Sequence, residues 1–251
     1  MKKIGIVYAI SRTAGEHCKN LVEENSYHSL EIITHECPAD EYKASSNDIQ
    51  GIGRLLQQSI NDLATRGADT IIIAANSVHR AFDIVDEYVK KTYPDVRLLS
   101  IIDTAVEEAM KQSYKTVSVF GSNSTINSSM YQDKLQKSGI KCLALTDNEQ
   151  KIINTLITSG VAPDTISDDM KEKVFAIANR LKKSGCDAII LACTELPLIF
   201  NSDNLRISVV DTSLALALAA VRTPGVHNNS GLSSNNDLSA SENNQSYRVK
   251  F

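Results

Sequence analysis

Short apolar runs bounded by turn residues alternate with stretches of helical spacing along the first 222 residues. Lys3–Ala9, Leu30–Thr34, Thr70–Ala74 and Val96–Ile102 are nearly unbroken apolar runs in the first half. Such runs predict strands buried on both faces, as in parallel sheets. Between them, Arg12–Glu24, Ile49–Arg66, His79–Lys91 and Thr104–Lys111 predict helices. The clearest is the second, with Ile52, Leu55, Leu56, Ile60 and Leu63 on one stripe. The polar residues 35–50, carrying Pro38, Ser45, Ser46 and Asn47, predict a loop that can lie over a site. The second half repeats the plan, with strands predicted at Lys115–Phe120, Lys141–Leu145, Ala188–Ala192 and Leu205–Val210. Its helices are predicted at Ile126–Ser138, Asp164–Ser184 and Thr212–Arg222.

The alternation is a repeat in the literal sense. Gly67-Ala68-Asp69-Thr70-Ile71-Ile72-Ile73-Ala74 aligns without gaps on Gly185-Cys186-Asp187-Ala188-Ile189-Ile190-Leu191-Ala192. Ala75 then falls on Cys193, an offset of 118 (193 − 75). Ile101-Ile102-Asp103-Thr104 pairs with Val209-Val210-Asp211-Thr212, and Ile4–Thr13 with Thr116–Thr125, at offsets of 108 (211 − 103) and 112 (116 − 4). The expectation is an α/β protein of two parallel-sheet, flavodoxin-like domains, 1–113 and 114–222, related by a pseudo-twofold axis. The closing elements can swap between the halves. Residues 223–251, crowded with Asn, Ser and Gly, predict a disordered tail.

Composition narrows the function without naming it. With 42% hydrophobic and 22% charged residues and a net charge of −4, the chain reads as an ordinary soluble protein. No basic patch suggests nucleic acid, and no apolar run has the ~18 residues of a membrane span. The opening Met1-Lys2-Lys3 leads into a strand rather than a signal peptide. Cys18, Cys37, Cys142, Cys186 and Cys193 are scattered and read as reduced thiols of a cytoplasmic protein. His17, His28, His35 and His227 form no ligand pattern, so no metal site is expected.

The twofold repeat sets Ala75-Asn76-Ser77 facing Cys193-Thr194-Glu195 at the carboxyl ends of buried strands, where open α/β sheets bind ligands. Each tip leads into a helix, whose N-terminal amides favour an anion. Asn76, Ser77 and Thr194 add donors suited to a carboxylate.

These residues resemble the cofactor-independent aspartate/glutamate racemases of the Asp/Glu/hydantoin racemase superfamily, over roughly residues 1–221. Cys193-Thr194-Glu195-Leu196-Pro197 carries the resemblance. Asn76-Ser77-Val78-His79 matches an Asn-Thr-x-His motif, Gly121-Ser122-Asn123-Ser124-Thr125 a Gly-Thr-x-x-Thr turn, and Val210-Asp211-Thr212 a late strand. The resemblance implies proton transfer at Cα of a small acidic amino acid or related dicarboxylate, without cofactor, by a homodimer. Cys193 and the Ala75 position are the implied catalytic pair. Asn76, Ser77, Val78, Ser122, Thr125, Lys151 and Thr194 are implied in substrate binding, Lys151 on the distal carboxylate, with His79 and Glu195 supporting them.

The sequence also departs from that pattern. Ala75 replaces the first of two cysteines, and a methyl group cannot carry a proton, so two-base racemisation lacks one base. Tyr8-Ala9-Ile10 replaces the Gly-Gly-Met of aspartate racemases. No arginine precedes residue 50 in the loop that often supplies a distal-carboxylate partner, where Lys43 is the nearest cation. Two further readings stay open: a single-cysteine enzyme resembling arylmalonate decarboxylases, and a non-catalytic binder of amino acids or dicarboxylates.

Overall fold

The structure, a computed structural model, describes residues 1–26, 29–37, 39–44, 47–160 and 166–222, the side chains of residues 39, 43 and 44 excepted. The tail expectation for 223–251 lies outside the described residues. The first half runs β1 (Lys2–Tyr8), α1 (Arg12–Glu24), β2 (Leu30–Glu36), α2 (Ala39–Ala44), α3 (Ile49–Thr65) and β3 (Thr70–Ile73). A 3-10 turn (Ser77–Ala81) then leads into α4 (Phe82–Thr92), β4 (Arg97–Leu99) and α5 (Ile101–Lys111). The second half runs β5 (Thr116–Gly121), α6 (Asn123–Ile126), α7 (Met130–Lys137), β6 (Lys141–Cys142), α8 (Asp147–Thr158), α9 (Asp168–Lys183) and β7 (Ala188–Ala192). A 3-10 turn (Leu196–Leu198), α10 (Ser202–Leu205), β8 (Ser208–Asp211) and α11 (Thr212–Val221) complete it.

The two sheets have the same parallel topology, β2-β1-β3-β4 and β6-β5-β7-β8. The repeated Gly and Asp have matching structural roles. Gly67 and Gly185 turn the chain into β3 and β7 with φ of 87° and 81°, a region costly for residues bearing Cβ. Two residues on, Asp69 accepts from the Lys3 amide at 2.8 Å, and Asp187 from the Lys115 and Thr116 amides at 2.7 and 2.8 Å. Each carboxylate therefore ties the start of one central strand to the next.

Alternate strand residues feed different cores. Ile4, Ile6 and Ile72 from one sheet, and Val117, Val119 and Ile190 from the other, join α5 and α11 in one central core. Val7, Ile71 and Ile73 pack outward on α3 and α4, while Ile189 and Leu191 pack outward on α8 and α9. Helix α11 is apolar on nearly every side and packs on both α1 and α5, as befits a helix covered all round. Among the described residues, no helix is long and apolar enough to cross a membrane.

Several boundaries differ from the pattern-based expectation. Helix α2 occupies part of the stretch read as a loop at 35–50. The strand expected at Val96–Ile102 stops at Leu99, because the Ser100 hydroxyl accepts from the Asp103 amide at 3.2 Å and starts α5. The helix expected at Ile126–Ser138 is broken before Met130 by Ser129 in a left-handed conformation, φ 59°. The strand expected at Lys141–Leu145 stops at Cys142, and Leu205 ends α10 instead of opening β8. Helix α9 begins at Asp168 with Ser167 as its cap, later than Asp164. Helix α8, Asp147–Thr158, lies where the pattern-based reading gives no helix range.

Candidate active site

The carboxyl ends of β1, β3, β5 and β7 converge on one cavity of about 220 Å³. Ala74, Ala75, Asn76 and Ser77 after β3 line it, as do Ala192, Cys193, Thr194 and Glu195 at the equivalent end of β7. Ile10, Ser11 and Ala14 from the start of α1, Ser122 and Thr125 from α6, and Ile157 from α8 close the rest. The volume lies below the ~300–1,000 Å³ of sites for drug-sized ligands, so it suits a small metabolite.

Asn76 is fixed by a chain of hydrogen bonds whose directions are determined. The Thr212 hydroxyl donates to the Leu191 carbonyl at 3.0 Å, so it must accept from Asn76 Nδ2, 3.2 Å away. Tyr131 OH then donates to Asn76 Oδ1 at 2.5 Å. An amide nitrogen has two hydrogens, and among the described residues the second has no partner. The tip of β3 is thereby tied to β7, α7 and α11.

His79 anchors the same tip from behind. Its Nδ1 lies 2.8 Å from the Ala75 carbonyl, which can only accept, so Nδ1 carries the proton. Nε2 accepts from the Ile101 amide at 3.1 Å, fixing the neutral tautomer. Burial lowers the ring pKa to about 4, despite the Ala75 carbonyl and Asp103 favouring the charge. Phe82 stacks on the ring at a centroid distance of 5.3 Å.

Burial pushes the Cys193 thiol up to about 11, and the Glu195 carboxylate adds to the rise against opposing Glu195 and Leu196 backbone hydrogen bonds. The resting group is a thiol, able to donate a proton. Glu195 Oε1 accepts from the Ser11 hydroxyl at 2.7 Å, linking the second-half wall to the start of α1. The Ser122 hydroxyl lies 2.9 Å from Ser124 Oγ and 3.2 Å from Thr125 Oγ1. Among the described residues, no cluster of His, Cys, Asp and Glu could hold a metal ion.

The family described as Asp/Glu/Hydantoin racemase matches residues 11–220. The chain belongs to the Asp/Glu/hydantoin racemase family. It is 31% identical over 151 residues to a glutamate racemase of Hydrogenobaculum, covering 57% of this chain and 52% of that protein. The chain thus spans about half the length of that relative. To the broad specificity amino-acid racemase of Bacillus subtilis it is 23% identical over 209 residues, covering 83% and 88%. Among solved structures, an aspartate racemase homologue from Pyrococcus horikoshii superposes with a TM-score of 0.76 at 26% identity, covering 88% of this chain and 98% of that one. The Picrophilus torridus aspartate racemase shares the fold, with a TM-score of 0.71 at 23% identity and coverage of 88% and 93%.

For this member of the racemase family, the structure gathers Ala75, Asn76, Ser77, Ser122, Thr125, Cys193, Thr194 and Glu195 around one cavity. Glu195 lines the cavity itself rather than standing behind it. Val78 and His79 do not line it: both are buried, Val78 in the outer core of the first half. Lys151 does not line it either. It is exposed on α8, whose Ile153 and Leu156 take the buried face, and about 200° of helical turn separates Lys151 from Ile153. The side chain of Lys43 lies outside the described residues.

No sequence motif points to Ser11, Ile157 or Tyr131, and Thr212 enters only within Val210-Asp211-Thr212, without a role on Asn76. Helix α8, which brings Ile157, carried a legible signal in Thr146-Asp147-Asn148-Glu149, a capping box with both reciprocal hydrogen bonds formed. Tyr131 and Thr212 act on Asn76 from 55 and 136 residues away, which no local pattern reveals.

Proposed function

We propose that this chain is an amino-acid isomerase or a close chemical variant of one, transferring a proton at Cα of a small amino acid with the Cys193 thiol. The observation that carries this reading is that the repeat-related strand tips, Ala75 and Cys193, both line one cavity. Asn76, Ser77, Ser122, Thr125 and Thr194 offer donors for the α-carboxylate, and donors there stabilise the enediolate that forms when Cα loses its proton. Cys193 serves one face of Cα, and the methyl group of Ala75 leaves the other without an acid or base. The chain therefore exchanges the Cα proton of one enantiomer and inverts it poorly. Family membership supports the reaction class, as do the glutamate racemase and the broad specificity amino-acid racemase among its relatives.

A second reading is favoured by the high pKa of Cys193. A thiol held neutral is suited to protonating one face of an enediolate left by loss of carbon dioxide, the single-cysteine chemistry of arylmalonate-type decarboxylation. Proton NMR in deuterated water separates the two. Exchange at Cα of one enantiomer by the wild type, turned into racemisation at least ~10-fold faster by Ala75→Cys, supports the isomerase. Carbon dioxide release from a malonate-type acid, with no exchange in either protein, replaces it with the second reading.

A further inference from the structure

We infer that Tyr131 and Thr212 are positioning residues for the reaction: two hydroxyls of the second half orient the Asn76 amide of the first half as a donor and set the spacing of the Ala75 and Cys193 tips. This rests on the proton-transfer reading above. Asn76 follows Ala75 directly and lines the cavity. Tyr131 donates to its Oδ1 at 2.5 Å, and its Nδ2 donates to Thr212 Oγ1 at 3.2 Å. Thr212 donates in turn to the carbonyl of Leu191, two residues before Cys193. The bonds therefore run from the residue after one tip to the strand that ends in the other. Each hydroxyl is delivered by its helix. Tyr131 lies in the first turn of α7, on the face it shares with Leu135, and both are fully buried in the central core. Thr212 opens α11 behind its cap Asp211, whose carboxylate accepts from the Ser213 and Leu214 amides at 2.8 and 3.1 Å.

A core that needed only filling would take phenylalanine at 131 and valine at 212, with no hydroxyl to satisfy. Here both hydroxyls are buried and paired, and the pairs converge on one cavity-lining amide. A paired buried network of this kind rigidifies the group it holds. It also fixes which way round the amide sits. In the flipped amide Oδ1 would face Thr212 Oγ1, whose one hydrogen is already given to Leu191, so two acceptors would meet. Burial holds the Tyr131 phenol well above its usual pKa, so it stays a donor at neutral pH. Asn76 then meets a ligand through its N–H end, matched to a carboxylate oxygen and to the greater charge that oxygen carries in the enediolate. A donor held in place beforehand needs no reorganisation as that charge develops, so the two hydroxyls act on kcat more than on KM.

The test reads the amide and the reaction separately in wild type, Tyr131→Phe, Thr212→Val and Thr212→Ser. Tyr131→Phe keeps the ring that fills the core, and Thr212→Ser returns the hydroxyl that Thr212→Val removes. By nitrogen-edited NMR, the side-chain amide protons of Asn76 are expected to exchange with water at least ~10-fold faster in Tyr131→Phe and Thr212→Val than in the wild type, with Thr212→Ser restoring most of the protection. Cα exchange in deuterated water is measured with each enantiomer of alanine, aspartate and glutamate. Its kcat is expected to fall at least ~10-fold in the same two variants while KM moves less. Added to Asn76→Ala, Tyr131→Phe lowers kcat no further, because the residue it acts through is gone. Unchanged amide exchange in Tyr131→Phe and Thr212→Val, or an equal further loss of kcat from Tyr131→Phe in the Asn76→Ala protein, overturns the inference and leaves the proton-transfer reading standing. A wild type silent at Cα with every compound removes that reading. Amide exchange then decides the positioning of Asn76 by itself: faster exchange in both variants upholds it, and unchanged exchange refutes it.

Discussion

Cys193 occupies a position where burial and the Glu195 carboxylate both disfavour its thiolate, and the opposing backbone hydrogen bonds do not restore it. With a thiol pKa moved from 9.0 to about 11, the thiolate fraction at pH 8 is about a hundredfold smaller than for an unperturbed cysteine. Alkylation of Cys193 by iodoacetamide, followed by peptide mass mapping, is therefore expected to be slow at pH 8 and to rise steeply toward pH 11. Glu195→Gln removes the carboxylate that raises the pKa, so its alkylation midpoint moves to lower pH. A midpoint near or below 9 in the wild type contradicts the buried, carboxylate-flanked description of the thiol. At this scale the strand tips were legible in the sequence, because a repeat aligned without gaps assigns Ala75 to the place of Cys193. Lys151 was not, because a residue's orientation on a helix depends on which face the rest of that helix buries.

Helix and strand ends in this chain are held by side chains that bridge elements, and His79 is the clearest case. It ties the Ala75 carbonyl at the tip of β3 to the Ile101 amide at the start of α5, and it does so only as a neutral ring. Below pH 6.5 the unfolded chain takes up a proton that the folded chain refuses until about pH 4. Stability therefore falls as pH drops through this window, and the loss saturates below it. The difference between 6.5 and about 4 corresponds to about 3 kcal/mol. Urea denaturation from pH 7 to 4 is expected to show that loss in the wild type and a loss smaller by about this amount in His79→Gln. Equal slopes in the two proteins would show that the ring is not held neutral. The long buried strands were readable in advance because two-sided burial leaves an unbroken apolar run. The shorter elements were set instead by single caps, such as Ser100 at α5 and the left-handed Ser129 before α7. In α8 five polar residues, Asp147 to Lys151, precede the apolar stripe, so its periodicity emerges only in the second turn.

The two halves share one interior, which decides how the molecule unfolds and how the site is kept. Two sheets of equal topology contribute their inner faces to one central core, and α11, the last helix of the second half, lies against α1 of the first. Arg97 and Lys2, both from the first half, donate to carbonyls at the end of α11, Lys2 to the Arg222 carbonyl at 2.7 Å. Ser11 with Glu195, and Asn76 with Thr212, carry the same coupling into the cavity. The repeat made two similar halves legible, but sequence alone did not show how α11 packs across them. An all-round apolar helix, Thr212-Ser213-Leu214-Ala215-Leu216-Ala217-Leu218-Ala219-Ala220-Val221, was the available sign of a middle layer. A shared core predicts one cooperative transition rather than two. Leu216, fully buried in that core, is the place to test it. Leu216→Ala is expected to cost about 2–5 kcal/mol and to lower hydrogen-exchange protection of β1 and β5 amides together, with one coincident denaturation curve. Loss of protection confined to one sheet, or a curve that splits in two, would mean that the halves fold as separate units and that the cavity between them is held by the hydrogen bonds at the strand tips alone.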